Sequence, residues 1–224
     1  MNILYITLWI SIFLQVIVGI LNLVVLIAPI DASLMFIWQL LLGEFIVQVV
    51  EASFYLYWAA KFSEIKNITP KRYFDWMFTT PTMLITLMLY SIYLGYKETE
   101  KDVSKLNALD LMREHWVTIS QVVVLNASML VFGYLGEIHK LPVNVSVGLG
   151  FIPFFMMYAI IYQSFSIQSK EGLVLFYYFL FFWSLYGVAA LCSYTVKNTM
   201  YNVLDIFSKN FFGFFLMYVI YASS

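Results

Sequence analysis

The sequence predicts an all-α membrane protein: one bundle of seven transmembrane helices over residues 1–224, without a second domain. Three observations carry that expectation. The 224 residues are 62% hydrophobic, 20% aromatic and only 11% charged, with a mean hydropathy of +0.85, whereas soluble domains carry about 25% charged residues. Seven apolar runs recur, each near the ~20 residues a helix needs to cross a bilayer. The charges left inside those runs fall on single helical faces, as they must where they are to avoid lipid.

The elements follow in order. Span 1 is expected at about Ile3–Ile27 and is closed by Ala28-Pro29-Ile30-Asp31. Span 2, about Leu34–Ala60, is long enough to tilt. A polar link with Lys61, Glu64, Lys66, Pro70 and Lys71 leads to span 3, about Tyr73–Leu94. The charged loop Gly95–Glu114 is the longest and has room for a short surface helix. Spans 4, 5 and 6 are expected at about Trp116–Leu135, Val143–Phe165 and Leu173–Tyr194, and span 7 at about Met200–Tyr221.

Composition excludes several functions. A net charge of -1 leaves no nucleic-acid footprint. One cysteine, Cys192, allows neither an internal disulfide nor a cysteine metal site. His115 and His139 have no ligand spacing, so no metal is expected, and no catalytic constellation marks an enzyme. The first apolar run lacks the basic flank of a cleavable signal. Asn67-Ile68-Thr69 matches a glycosylation sequon, weakened by Pro70. Loop charge gives no orientation: Lys97, Lys101, Lys105, Arg113 and Lys170 on one side balance Lys61, Lys66, Lys71, Lys140 and Lys197 on the other.

Six charges lie within spans: Glu44, Glu51, Arg72, Asp75, Asp205 and Lys209. Arg72, Asp75, Thr79 and Thr86 share a face of span 3. Asn198, Asn202, Asp205 and Lys209 do the same at span 7. On span 2, Glu44, Gln48, Glu51 and Tyr55 form a stripe running roughly 16 Å along the helix. Ser11, Gln15 and Asn22 align on span 1. Spans 4 to 6 hold fewer polar residues, mainly Gln121, Asn126, Gln163 and Ser184. Taken singly, Ser11, Gln15 and Asn22 read as helix-to-helix hydrogen bonds. Two uncompensated glutamates do not, and four aligned polar faces can line a watery path. Lys209 is the lysine placed deepest by hydropathy, one turn after Asp205. A lysine in mid-bilayer is a functional-site hypothesis by default. With Arg72, Asp75 and Asp205 it makes either a balanced structural ion network or a site where the lysine carries a cofactor as a Schiff base.

The segment Arg72-Tyr73-Phe74-Asp75-Trp76-Met77-Phe78-Thr79-Thr80-Pro81 closely resembles the third-helix signature of microbial (type 1) rhodopsins. Leu204-Asp205-Ile206-Phe207-Ser208-Lys209 resembles their seventh-helix retinal-lysine motif. Trp183-Ser184-Leu185-Tyr186 and Met129-Leu130-Val131-Phe132-Gly133 resemble their sixth- and fourth-helix elements around retinal. With its short loops and minimal tail, the chain looks most like rhodopsins of large DNA viruses of algae and other protists. The resemblance implies the microbial rhodopsin fold, with the N-terminus outside and the C-terminus in the cytoplasm. It implies all-trans retinal bound as a protonated Schiff base to Lys209. Asp75 then matches the primary counter-ion and proton acceptor, Asp205 the second counter-ion, and Arg72 the arginine beneath them, with Thr79 beside Asp75. Trp76 and Trp183 match the indoles that sandwich the polyene, Tyr186 and Tyr55 the pocket tyrosines, and Met129 and Gly133 residues near the ring. Thr80 and Asn126 match a polar pair linking helices 3 and 4.

The departures bear on output. Thr86 stands where outward pumps carry a proton-donor carboxylate, and threonine does not titrate usefully. The link between spans 6 and 7 has no acidic residue, and Gly187 replaces a sixth-helix proline. Glu51 and Glu44 fall where algal cation-channel rhodopsins carry glutamates. The expected function is a light-gated cation channel, with photoisomerisation at Lys209 opening a path among helices 1, 2, 3 and 7. Glu44, Glu51, Gln48, Ser11, Gln15 and Asn202 would supply gate and path. The alternatives are an outward proton pump with Asp75 as acceptor and Glu44 as donor, and a photosensor coupled to a partner. The implied partners are the bilayer, cations or protons, and a homo-oligomer such as relatives form.

Overall fold

The computed structural model describes residues 2–223 and is helical throughout its spans. Among the described residues, seven helices are long and apolar enough to cross a membrane. Span 1 is Ile3–Ile27; span 2 is Met35–Ala60, entered through a single turn at Ala32–Leu34. Span 3 is Thr69–Glu98, a short helix Ala108–Glu114 follows in the long loop, and span 4 is Trp116–Glu137. Spans 5 and 6 are Val143–Ser164 and Lys170–Ala190. Span 7 runs from Tyr194–Asp205 through a π-type turn, Ile206–Asn210, into Phe211–Ser223.

Local chemistry sets the helix starts. Asn2 accepts from the Leu4 N–H at 3.1 Å and Asp31 from the Ser33 N–H at 2.8 Å. Asn107 accepts from Leu109 N at 2.9 Å, and Ser169 Oγ from Gly172 N at 3.0 Å. Each supplies an acceptor that the first helical turn lacks. The Ser33 contact also holds the Asp31 carboxyl below the usual carboxylate range. Pro70 sits in the first turn of span 3, where its missing N–H costs nothing.

Each span packs on its neighbours in sequence, 1 on 2 through 6 on 7, and span 7 closes the ring on span 1. Span 2 also meets span 7, and span 3 meets span 6, across the middle. Span 3 is the most enclosed: 72% of its most apolar stretch is buried, against 17% for span 4. Large apolar side chains such as Phe13, Phe78, Val124 and Phe181 point outward, as lipid allows. The charged side chains in the middle of the spans point inward.

Several boundaries differ from the hydropathy reading: span 3 runs four residues further at each end, and span 6 ends at Ala190 instead of Tyr194. Span 7 begins at Tyr194, six residues before the expected Met200. Its first two turns are polar, so a hydropathy window misses them, but Lys197 and Asn198 face the interior. Lys197 is therefore not a loop charge. It is 7% exposed and donates to Glu137 Oε1 at 2.6 Å. Of the polar residues noted in spans 4 to 6, Asn126 is buried while Gln121 and Gln163 are exposed.

Candidate functional site

Lys209 lies inside the π-type turn, where the Phe211 N–H donates to the Ile206 carbonyl five residues back. Such single-turn widenings cluster at functional sites. The turn packs against spans 1, 2 and 6 and carries Lys209 to the bundle centre, 2% exposed. Its Nζ donates to Asp75 Oδ2 at 2.9 Å. It also stands 3.2 Å from Glu51 Oε1 and 3.6 Å from Asp205 Oδ1. Spans 2, 3 and 7 thus each present one carboxylate to one ammonium.

Arg72 fixes the other side of this cluster. Its Nε donates to Asn198 Oδ1 at 3.0 Å and its Nη1 to Tyr55 OH at 2.9 Å. Nη2 donates to Asn202 Oδ1, and Nη1 lies 3.5 Å from Asp205 Oδ2. The rings of Tyr55, Trp58 and Tyr201 stand 5.0 to 5.6 Å from its Cζ, within cation–π range. Asp205 accepts from Tyr55 OH and, at 2.6 Å, from Tyr186 OH. Asn202 reaches span 1 as well, donating to Thr7 Oγ1 at 3.0 Å and Leu4 O at 3.3 Å. Each of the three guanidinium nitrogens has a hydrogen-bond acceptor, which holds the fork in place. The buried set comprises two cations and three carboxylates, one more anion than the Arg72, Asp75, Asp205 and Lys209 group considered from sequence.

Lys209 also closes one end of a cavity. Trp76, Thr80, Met129, Gly133, Trp183 and Tyr186 line it, with Tyr73, Phe154 and Tyr201. The cavity has a volume of about 110 Å³, and its walls are almost wholly apolar. Two glycines keep it tight. A Cβ at Gly133 would stand 2.6 Å from the Tyr73 hydroxyl, and one at Gly187 2.5 Å from the Phe151 ring. The Thr80 hydroxyl donates to Trp76 O at 2.6 Å and accepts from Asn126 Nδ2 at 2.8 Å, joining spans 3 and 4. Thr79 Oγ1 donates to Asp75 O at 3.0 Å, which orients the turn bearing that carboxylate. Tyr55 lies with Arg72 and Asp205, outside the residues that line the cavity.

A third group lies on spans 1, 2 and 7. Ser11, Gln15, Asn22, Glu44, Gln48 and Asn210 are all buried. Gln15 Nε2 donates to Ser11 Oγ at 3.2 Å. Among the described residues, neither oxygen of Glu44, and neither end of the Gln48 and Asn22 amides, has a hydrogen-bond partner. Glu44 lies beside Thr86, whose hydroxyl gives its hydrogen to Thr82 O at 3.1 Å. Asn202 is held apart from this row, at Arg72.

Several contributors escaped the sequence reading, Trp58 and Tyr201 at Arg72 among them. Asn210 follows Lys209 directly and was hidden by it. Glu137 and Lys197, 60 residues apart, pair across spans 4 and 7. The available signal was phase: Lys197, Tyr201, Leu204 and Ser208 recur at helical spacing, and all are buried.

A family model described as bacteriorhodopsin-like protein matches residues 3–223. Among solved structures, the chain is similar to viral rhodopsin OLPVRII, with 25% identity, a TM-score of 0.80 and 98% of each chain covered. It has the fold of the thermophilic rhodopsin from Rubrobacter xylanophilus, at 16% identity and TM-score 0.75, covering 98% of this chain and 96% of that one. It also has the fold of the proton pumping rhodopsin AR2 from the marine alga Acetabularia acetabulum, at 17% identity and TM-score 0.72, covering 97% and 94%. No curated protein matches the chain.

Proposed function

The chain belongs to the bacteriorhodopsin-like family, and on that premise we propose that it is a retinal-binding light-gated cation channel, with its N-terminus extracellular and its C-terminus cytoplasmic. The cavity fits retinal. Its walls are largely apolar, two indoles line it, and Lys209 brings to it a primary amine able to condense with an aldehyde. Retinal, bound as a protonated Schiff base on Lys209, supplies visible absorption and a light-driven change of shape.

The chain's own residues do the rest. Trp76 and Trp183 would hold the group from the cavity walls, and Gly133 and Gly187 leave room there for Tyr73 and Phe151. The proton at Lys209 Nζ has an acceptor 2.9 Å away in Asp75 Oδ2. Its transfer removes the positive charge that Glu51 and Asp205 face at 3.2 and 3.6 Å. Glu51 is then released towards Gln48 and Gln15, and the Arg72–Asp205 contact loosens on the other side. Two carboxylates, Glu44 and Glu51, draw cations into the row, while Arg72 closes the opposite half in the dark.

The observation that carries this reading is the place of Glu51: it touches the Lys209 ammonium and heads a row of buried groups that lack protein partners. The test is Glu51→Ala under voltage clamp. Altered conductance or ion preference is expected, and unaltered currents would remove Glu51 from the gate. A pump remains the second reading because Glu44 lies beside Thr86, where the resemblance puts a proton donor, and can serve that cavity from another helix.

A further inference from the structure

Widening the turn at Lys209 diverts a hydrogen bond. In an α-helix the Phe211 N–H would donate four residues back, to the Phe207 carbonyl. Here it donates to Ile206 O instead, so Phe207 O loses its helical donor. Phe207 and Phe211 are exposed on the outer face of the bundle. Lipid supplies no hydrogen there, and a backbone carbonyl must be satisfied from within the protein.

Tyr178, on span 6, meets that need. Its hydroxyl donates to Phe207 O at 2.6 Å. Its ring packs on both Phe182 and Phe211, each at a centroid distance of 4.6 Å, and Phe182 stacks in turn on Phe207 at 5.1 Å. Tyr178, Phe182 and Tyr186 follow one another at four-residue spacing along one face of span 6. Tyr186 OH donates to Asp205 Oδ1 at 2.6 Å and stands 2.7 Å from Ser208 Oγ. This face therefore grips span 7 from Asp205 to Phe211, on both sides of Lys209.

We propose that Tyr178 is a positioning residue for Lys209. By supplying the hydrogen that the Phe207 carbonyl lacks, its hydroxyl keeps the turn wide and holds Lys209 Nζ against Asp75. The inference deepens the retinal reading and rests on it for its spectroscopic consequence. The competing arrangement is an ordinary helical turn, in which the Phe211 N–H returns to Phe207 O and Tyr178 is not needed.

Tyr178→Phe removes the hydroxyl and keeps the ring. In crystals of the apoprotein variant, the Phe211 N–H is expected to return to Phe207 O and Lys209 Nζ to leave hydrogen-bond distance of Asp75. A turn unchanged from wild type would overturn the proposal. In the retinal-loaded protein, weaker pairing with Asp75 favours loss of the Nζ proton. The alkaline midpoint at which the visible band is lost is therefore expected to fall by about one pH unit, a tenfold change in the proton equilibrium. Tyr177→Phe, which removes a hydroxyl from an exposed position on the same span, is expected to keep the wild-type midpoint. Equal midpoints in wild type and Tyr178→Phe, or an equal fall in both variants, would overturn the proposal. If the wild-type apoprotein forms no visible band with retinal, the retinal reading fails and the crystal structures alone decide the role of Tyr178.

Discussion

Replacing Glu137 by glutamine isolates the pair that ties span 7 to span 4. Lys197 Nζ stands 2.6 Å from Glu137 Oε1, and the two side chains are 9% and 7% exposed. At an effective dielectric of about 20, unit charges at that separation attract by about 6 kcal/mol. Most of this is offset by the cost of taking both out of water. Removing one partner leaves the other buried and uncompensated, which costs about 3–5 kcal/mol for a fully buried pair. The pair sits near the end of the bundle, so Glu137→Gln is expected at the lower end, about 3 kcal/mol, or roughly two decades in the unfolding equilibrium. Equilibrium unfolding by sodium dodecyl sulfate in mixed micelles, followed by tryptophan fluorescence, measures it. The double variant Glu137→Leu with Lys197→Leu, which leaves no stranded charge, is expected to be more stable than Glu137→Gln. If Glu137→Gln falls within about 0.5 kcal/mol of wild type, the pair is screened as a surface ion pair is. The reasoning from burial would then be refuted.

Two further outcomes follow from the site. Apoprotein given all-trans retinal is expected to develop visible absorbance, and Lys209→Ala to abolish it; a visible band in the variant would place the cofactor elsewhere. If Glu44 is a proton donor, Glu44→Gln slows the final proton return in the photocycle by about 100-fold or more. Flash spectroscopy showing an unchanged photocycle excludes that role.

The seven-span architecture was legible because a bilayer demands long apolar helices, and composition alone reveals those. The polar stripes were legible for the same reason: Glu44, Glu51, Asp75 and Asp205 cannot face lipid, so their spacing announces the interior. What sequence did not give was which stripe meets which. Glu51 was expected as a gate glutamate near Lys209 but not among its counter-ions, and its carboxylate in fact stands 3.2 Å from the Lys209 ammonium. Helix phase is a local property, whereas the rotation of one helix against another comes from packing many residues away. Lys197 failed differently. The polar turns before Met200 resembled a loop because hydropathy averages over a whole helical circumference, and here only one side is polar. Tyr55 joined Arg72 and Asp205 instead of the cavity wall because its hydroxyl finds its partners there.

The claim that light opens a conducting path is tested most directly by voltage clamp on cells expressing the retinal-loaded protein. Light-evoked current is recorded while the holding potential is stepped across the cation equilibrium potentials. The account predicts current that changes sign with voltage and whose reversal potential follows the external cation concentration. Current of one sign at every voltage, indifferent to the cation gradient, would contradict it and establish a pump.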